Sequence, residues 1–259
     1  MVIHCQKIGA AQPGQPWLVF LHGLLGSGED WQALLPFLQD RPVLLVDLPG
    51  HGASRWVAAD SFATVSQQLH DLLVQQSVTD YWLLGYSLGG RLAMYHACQR
   101  DDPGLRGLLV EGGHPGLADV AQRDARQRHD AHWAARFRTE PLQQVLPDWY
   151  TQPVFADLNK MQREALTERR SHNHGPAVAG MLEATSLSHQ PWLVDKLRQL
   201  RVPFGYLCGD SDNQFQALAA QYQLPLLSVA HAGHNAHQAN PADYAARIRW
   251  FISHPSKEQ

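Results

Sequence analysis

Tyr81-Trp82-Leu83-Leu84-Gly85-Tyr86-Ser87-Leu88-Gly89-Gly90-Arg91-Leu92-Ala93 runs from an apolar segment through a G-x-S-x-G turn into a helical pattern. The five-residue pattern alone is only suggestive, and its context carries the reading. A serine on a tight strand-to-helix turn needs small neighbours, and its hydroxyl is then presented above a sheet near a helix N-terminus. Without that context the same residues would be a Gly-rich turn with a capping serine.

Outward from this turn, short apolar runs lie at Trp17–Leu21, Val43–Asp47 and Gly107–Glu111, and again at Phe204–Cys208 and Leu226–Val229. They read as buried parallel strands, with Tyr81–Gly85 among them. Helix-length segments at Trp31–Leu38, Phe62–Gln76, Gly90–Arg100 and Ala242–Ile252 alternate with them, which predicts an α/β protein. From about Pro115 to Leu200 no strand is expected, only helices near Val120–Thr139, Leu142–Trp149, Lys160–Arg170 and Pro176–Ser186. We therefore expect a core of residues 1–114 and 201–259 and a helical cap, 115–200, over the sheet edge where such proteins bind ligands. Pro255–Gln259 reads as a frayed tail.

The chain has 259 residues, a formal charge of −3 and only 17% charged side chains, against a usual quarter or so. That argues against a nucleic-acid-binding surface, while 44% hydrophobic residues suffice for a real core. The cap segment holds 11 basic and 10 acidic side chains, whereas residues 1–114 hold 6 and 10. Three scattered cysteines, Cys5, Cys98 and Cys208, suit a reducing cytoplasm and offer no CxxC metal pair. Neither an export signal nor an apolar run of about 18 residues is seen, so a cytoplasmic, membrane-free protein is expected.

A serine becomes a useful base or nucleophile only when a histidine takes its proton and an acid orients that histidine. Gly209-Asp210-Ser211-Asp212 follows one late strand and Ala232-Gly233-His234-Asn235 the next, giving the order Ser, Asp, His at successive strand ends. His234 is preferred to His231 and His237 because it follows Gly in the loop after the last strand. Asp212 is preferred to Asp210, since an acid three residues beyond Gly209 clears the strand while Asp210 is placed to cap a helix. The loop His22-Gly23-Leu24-Leu25-Gly26 offers the Leu24 N–H as a partner to the Leu88 N–H in an oxyanion hole. Asp47-Leu48-Pro49-Gly50-His51-Gly52 reads as a turn shaping the sheet edge.

Together these features resemble the α/β-hydrolase superfamily: a mostly parallel sheet flanked by helices, with a helical cap. That fold does not fix the reaction. Arg91, one turn into the helix after Ser87, leans back toward the reactive serine and suits a carboxylate substrate; the alternative is a surface arginine paired with an acid. Cap residues Arg123, Arg126, Arg128, Arg169 and Arg170 add positive charge, although Asp130, four residues after Arg126, could be its exposed partner. The aromatics Trp133, Phe137, Trp149 and Tyr150 suit a cap core.

Four strings narrow the resemblance: Gly85–Arg91, the segment Val110-Glu111-Gly112-Gly113-His114-Pro115-Gly116-Leu117, the segment Trp149-Tyr150-Thr151-Gln152-Pro153-Val154-Phe155, and Ala232–His237. They resemble the 2-succinyl-6-hydroxy-2,4-cyclohexadiene-1-carboxylate synthase family of menaquinone biosynthesis. That resemblance implies a lyase expelling pyruvate from an enolpyruvyl cyclohexene with three carboxylates, and neither a metal nor an organic cofactor. It implies Ser87, Asp212 and His234 as the catalytic residues, with Tyr86, Arg91, Arg126, Trp149 and Arg170 around the substrate. A carboxylate-specific hydrolase working through an acyl-serine is the alternative reaction, and a non-catalytic small-molecule receptor is the alternative of another class.

Overall fold

The computed structural model describes residues 2–10, 12 and 14–255, so most of the expected frayed tail, from Ser256 on, lies outside it. In chain order the strands are β1 (Cys5–Ile8), β2 (Trp17–Leu21), β3 (Val43–Val46), β4 (Tyr81–Tyr86), β5 (Leu105–Glu111), β6 (Phe204–Gly209) and β7 (Leu226–Val229). They form one sheet ordered β1-β3-β2-β4-β5-β6-β7, with β1 antiparallel to β3 and every other pairing parallel. The order reverses between β2 and β4. A crevice opens at the carboxyl ends of strands at such a point, which is where a ligand site is expected.

The inner strands β2 to β6 are buried on both faces because their alternate side chains feed two separate clusters. Val19, Leu21, Leu83, Leu108 and Val110 join one with α1 (Phe62–Gln75) and α2 (Leu88–Gln99). Leu18, Phe20, Trp82, Leu84 and Leu109 join the other with Trp31 and Leu34. Burying one such aliphatic side chain is worth about 1.5–3 kcal/mol, so a one-residue slip would invert a strand's packing.

The expected cap helices are present as α3 (Val120–Thr139), α4 (Leu142–Trp149), α5 (Lys160–Arg170) and α6 (Gly175–Ala184). In α3 the buried residues are Asp130, Trp133, Ala134 and Phe137, an i, i+3, i+4, i+7 stripe facing the cap's own cluster. That cluster includes Leu25 of the core. Next, α7 (Val194–Arg198) packs on α2, and Leu193 and Leu197 belong to the core cluster. The chain ends with α8 (Asn213–Tyr222), α9 (Ala236–Ala239) and α10 (Pro241–Ser253).

Some elements depart from the sequence reading. The helix expected at Trp31–Leu38 is a 3₁₀ helix over Gly28–Phe37, opened by a Ser27/Asp30 capping box and carrying Pro36 within it. Strand β1 was not expected, because a half-exposed edge strand with Gln6 and Lys7 shows no apolar run. The short helices α7 and α9 also fall outside the sequence reading, and α8 is expected only as a helix following Asp210, without bounds.

Candidate active site

Ser87 sits between β4 and α2 with φ +50° and ψ −109°, a conformation costing about 1–3 kcal/mol in a non-glycine residue. Its neighbours leave no alternative to glycine. A Cβ on Gly85 would lie 2.3 Å from the Gly89 carbonyl oxygen, and one on Gly89 would lie 2.3 Å from that of Leu21. The turn is held by Ser87 N–H donating to the Glu111 carbonyl at 2.8 Å and Arg91 N–H donating to the Ser87 carbonyl at 3.0 Å.

His234 and Asp212 are both buried and meet at 2.9 Å between Nδ1 and Oδ2. The other oxygen of Asp212 accepts the Phe215 N–H at 3.1 Å, so this aspartate also caps α8. Capping, expected of Asp210, therefore falls to Asp212. Asp210 instead accepts the His231 and Ala232 N–H groups at 2.9 and 3.2 Å and holds the histidine loop. Phe215 stacks on the His234 ring at 4.9 Å. Ser87 Oγ makes no hydrogen bond to His234 among the described residues, which leaves that proton-transfer link open.

The expected oxyanion loop lies against the turn: a Cβ on Gly23 would come within 3.5 Å of Ser87 Cβ. The Leu24 and Leu88 N–H groups donate to no acceptor among the described residues. Two buried histidines brace this loop. His22 donates from Nδ1 to the Gly23 carbonyl at 2.7 Å and accepts the Leu48 N–H at Nε2, 2.9 Å. His51 donates to the Pro49 carbonyl at 2.9 Å and accepts the Leu25 N–H at 3.0 Å. Burial pushes both imidazoles below their ordinary range, His51 to about 3, so both stay neutral and can accept. Leu25 is thereby held at φ +67°. The turn read as shaping the sheet edge thus also fixes the Leu24 loop; the paired His-Gly dipeptides at 22–23 and 51–52 are its signal.

Arg91 is 8% exposed, ruling out the surface arginine. Its Nη1 donates to the Thr185 carbonyl at 2.9 Å, and its guanidinium lies 5.8 Å from the Phe62 ring. Among the described residues no carboxylate comes within 4 Å of it. Burial, then the Arg126 charge, lowers its pKa to about 9, so the side chain remains a cation at neutral pH. Arg126 bonds Asp130 at 2.7 Å, but this acid is buried, not exposed as expected, and takes a second bond from Ser186 Oγ at 2.7 Å. Arg170 is buried and paired with Asp30 at 2.6 Å, fastening α5 to the 3₁₀ helix. Burial raises the Asp30 pKa, but the Arg170 guanidinium outweighs it and holds the carboxyl below its usual range. Arg128 and Arg169 are exposed, and Arg123 caps the carbonyls of Leu117 and Ala118.

Tyr86 donates its hydroxyl to Asn235 Oδ1 and places its ring 5.2 Å from that of His234. Trp149 lies in the cap cluster against Trp133 at 5.1 Å; Phe155 stands beyond it at 6.5 Å and reaches the His234 ring at 6.3 Å. Of the competing histidines, His231 is exposed, while His237 forms a buried pair with Glu111 that the sequence reading missed.

Residues 18–247 match the model of the alpha/beta hydrolase family. A relative from Pectobacterium atrosepticum, named 2-succinyl-6-hydroxy-2,4-cyclohexadiene-1-carboxylate synthase, is 64% identical over 250 residues, covering 96% of this chain and 99% of the relative. One of the same name from Yersinia pseudotuberculosis is 56% identical, covering 97% and 95%. The chain belongs to the α/β-hydrolase family and, within it, to these synthases. The solved structure of MenH from S. aureus superposes with a TM-score of 0.88 at 24% identity, covering 97% of this chain and 98% of that one. An enol-lactonase from Burkholderia xenovorans reaches 0.76 at 17% identity, covering 97% and 96%, and shares the fold alone. Among the described residues no helix is long and apolar enough to cross a membrane.

Proposed function

We infer that this chain is a lyase that eliminates pyruvate from 2-succinyl-5-enolpyruvyl-6-hydroxy-3-cyclohexene-1-carboxylate to give 2-succinyl-6-hydroxy-2,4-cyclohexadiene-1-carboxylate. The observation carrying this reading is Arg91, a buried cation one helical turn after Ser87 that has no carboxylate within 4 Å among the described residues, in a chain 64% identical to a named synthase. A buried guanidinium calls for a counter-charge, and a substrate carboxylate supplies it.

The chemistry is an elimination. His234, its charge supported by Asp212, takes the Ser87 proton, and the serine oxygen removes the ring proton next to the succinyl ketone. The electrons flow first to the ketone oxygen, where the Leu24 and Leu88 N–H groups hold the enolate. They return through the ring double bond and break the carbon–oxygen bond to enolpyruvate, which takes up a proton and becomes pyruvate. No bond to Ser87 forms. Arg91, Arg126 and Arg170 bind the substrate's carboxylates, the latter two with nitrogens not engaged by Asp130 and Asp30. Tyr86, Trp149 and Phe155 wall the reacting ring. The three free cysteines support placing the enzyme in the cytoplasm.

Intact-mass spectrometry during steady-state turnover tests the elimination. Unmodified enzyme, with pyruvate and diene formed in equal amounts, is expected. A Ser87 adduct that forms and decays at the turnover rate would replace the elimination with hydrolysis through an acyl-serine.

A further inference from the structure

His234 and His237 stand three residues apart, and each meets a carboxylate at the carboxyl end of a strand: Asp212 beyond β6 and Glu111 at the end of β5. The second pair is the more deeply buried, with side chains 0% and 1% exposed. The His237 ring packs between Trp31 at 4.4 Å and Tyr86 at 4.6 Å, and its Nε2 is buried with no partner among the described residues. An imidazole sealed in this way passes no proton to substrate or solvent. Its contribution has to be geometric.

Glu111 grips two loops at once. Its carbonyl accepts the Ser87 N–H at 2.8 Å, extending the β4–β5 ladder into the serine turn. Its carboxylate accepts the His237 N–H at 3.2 Å and Nδ1–H at 2.8 Å. A parallel strut runs from Tyr86, the residue before Ser87, to Asn235, the residue after His234. A buried charged or polar pair gives little net stability compared with an apolar pair of the same volume. What it does supply is a directional, two-point hold.

We propose that Glu111 and His237 are positioning residues for the reaction: a single residue, holding the serine turn by its carbonyl and His237 by its carboxylate, sets the distance between that turn and the loop carrying His234. This rests on Ser87 and His234 forming the proton relay. Displacement by a fraction of an ångström then slows proton transfer without altering the carboxylate-binding arginines, so kcat falls while KM holds.

The test compares Glu111→Gln, His237→Asn and His237→Ala. A glutamine offers one acceptor oxygen to two His237 donors. Glu111→Gln should lower kcat on the order of 10- to 100-fold with KM within about twofold, and slow fluorophosphonate labelling of Ser87 by a similar factor. His237→Asn, whose Nδ2 stands where the imidazole Nδ1 stood, should keep most of the labelling rate, while His237→Ala should lose it. Wild-type labelling and kcat in folded Glu111→Gln, or equal rates for the two His237 variants, would overturn the proposal. If Glu111→Gln does not fold, the His237 pair decides alone. Labelling needs no enolpyruvyl substrate, so a wrong substrate assignment would show as failed turnover with labelling intact.

Discussion

Arg91 and Asp212 illustrate opposite uses of a buried charge. Arg91 lies against one carbonyl and one aromatic ring with no acid within 4 Å among the described residues, which stabilises the free protein poorly and suits it to an anion. Arg91→Met should therefore leave the melting temperature unchanged or higher while costing about 2–5 kcal/mol in kcat/KM, and Arg91→Lys should recover part of that loss. Thermal melts and steady-state kinetics on the same preparations decide it; a variant destabilised with normal kcat/KM would make Arg91 a structural residue. Asp212 is fully engaged, by His234 and by the end of α8. Asp212→Asn should cut turnover about a hundredfold or more through loss of imidazolium support. Asp210→Asn, which touches only the loop backbone and Ser211, should be far milder in the same assay.

At the scale of elements, two histidine-bearing loops have a pH signature. His51, held near 3, and His114, lowered to about 4 by burial and then by Arg91 and Arg126, stay neutral in the folded chain. Once unfolded, each accepts a proton below about pH 6.5. Their contribution is thus complete above that value and is lost as pH falls toward 4, by up to about 1.4 kcal/mol per pH unit for each histidine. Denaturant melts between pH 7 and 4.5 should show this slope, and His51→Gln should flatten it. The same loops mark where sequence stops being informative. Strand ends, helix periods and the order Ser87, Asp212, His234 were legible because burial on both sheet faces and a strained turn leave strong local patterns. Strand β1 was not, since one antiparallel neighbour suffices to hold a polar segment at an edge. Nor were the partners of buried side chains: Asp30 with Arg170 and Glu111 with His237 lie 140 and 126 residues apart, and no local rule joins them.

For the whole molecule, the arginines proposed to bind substrate belong to separate segments: Arg91 to α2, and Arg126 and Arg170 to α3 and α5. A substrate bridging them adds its binding energy to the folded state. Saturating substrate on Ser87→Ala enzyme, at about 100 times its dissociation constant, should add about 2.7 kcal/mol to stability. The increment should shrink as salt is raised and largely vanish when Arg91→Ala is added. An equal increment in the presence and absence of Arg91 would separate binding from that guanidinium.

The serine turn is wedged so tightly, with carbonyl oxygens 2.3 Å from where a Cβ on Gly85 or Gly89 would stand, that neither position tolerates even alanine without moving backbone. The arginines proposed to bind carboxylates, by contrast, are side chains of the helices α2, α3 and α5, where one residue can replace another without reshaping the chain. Descent with modification on this scaffold is therefore lopsided. A lineage can be steered toward a different anion by altering arginines on these helices, while its reactive centre is inherited almost intact.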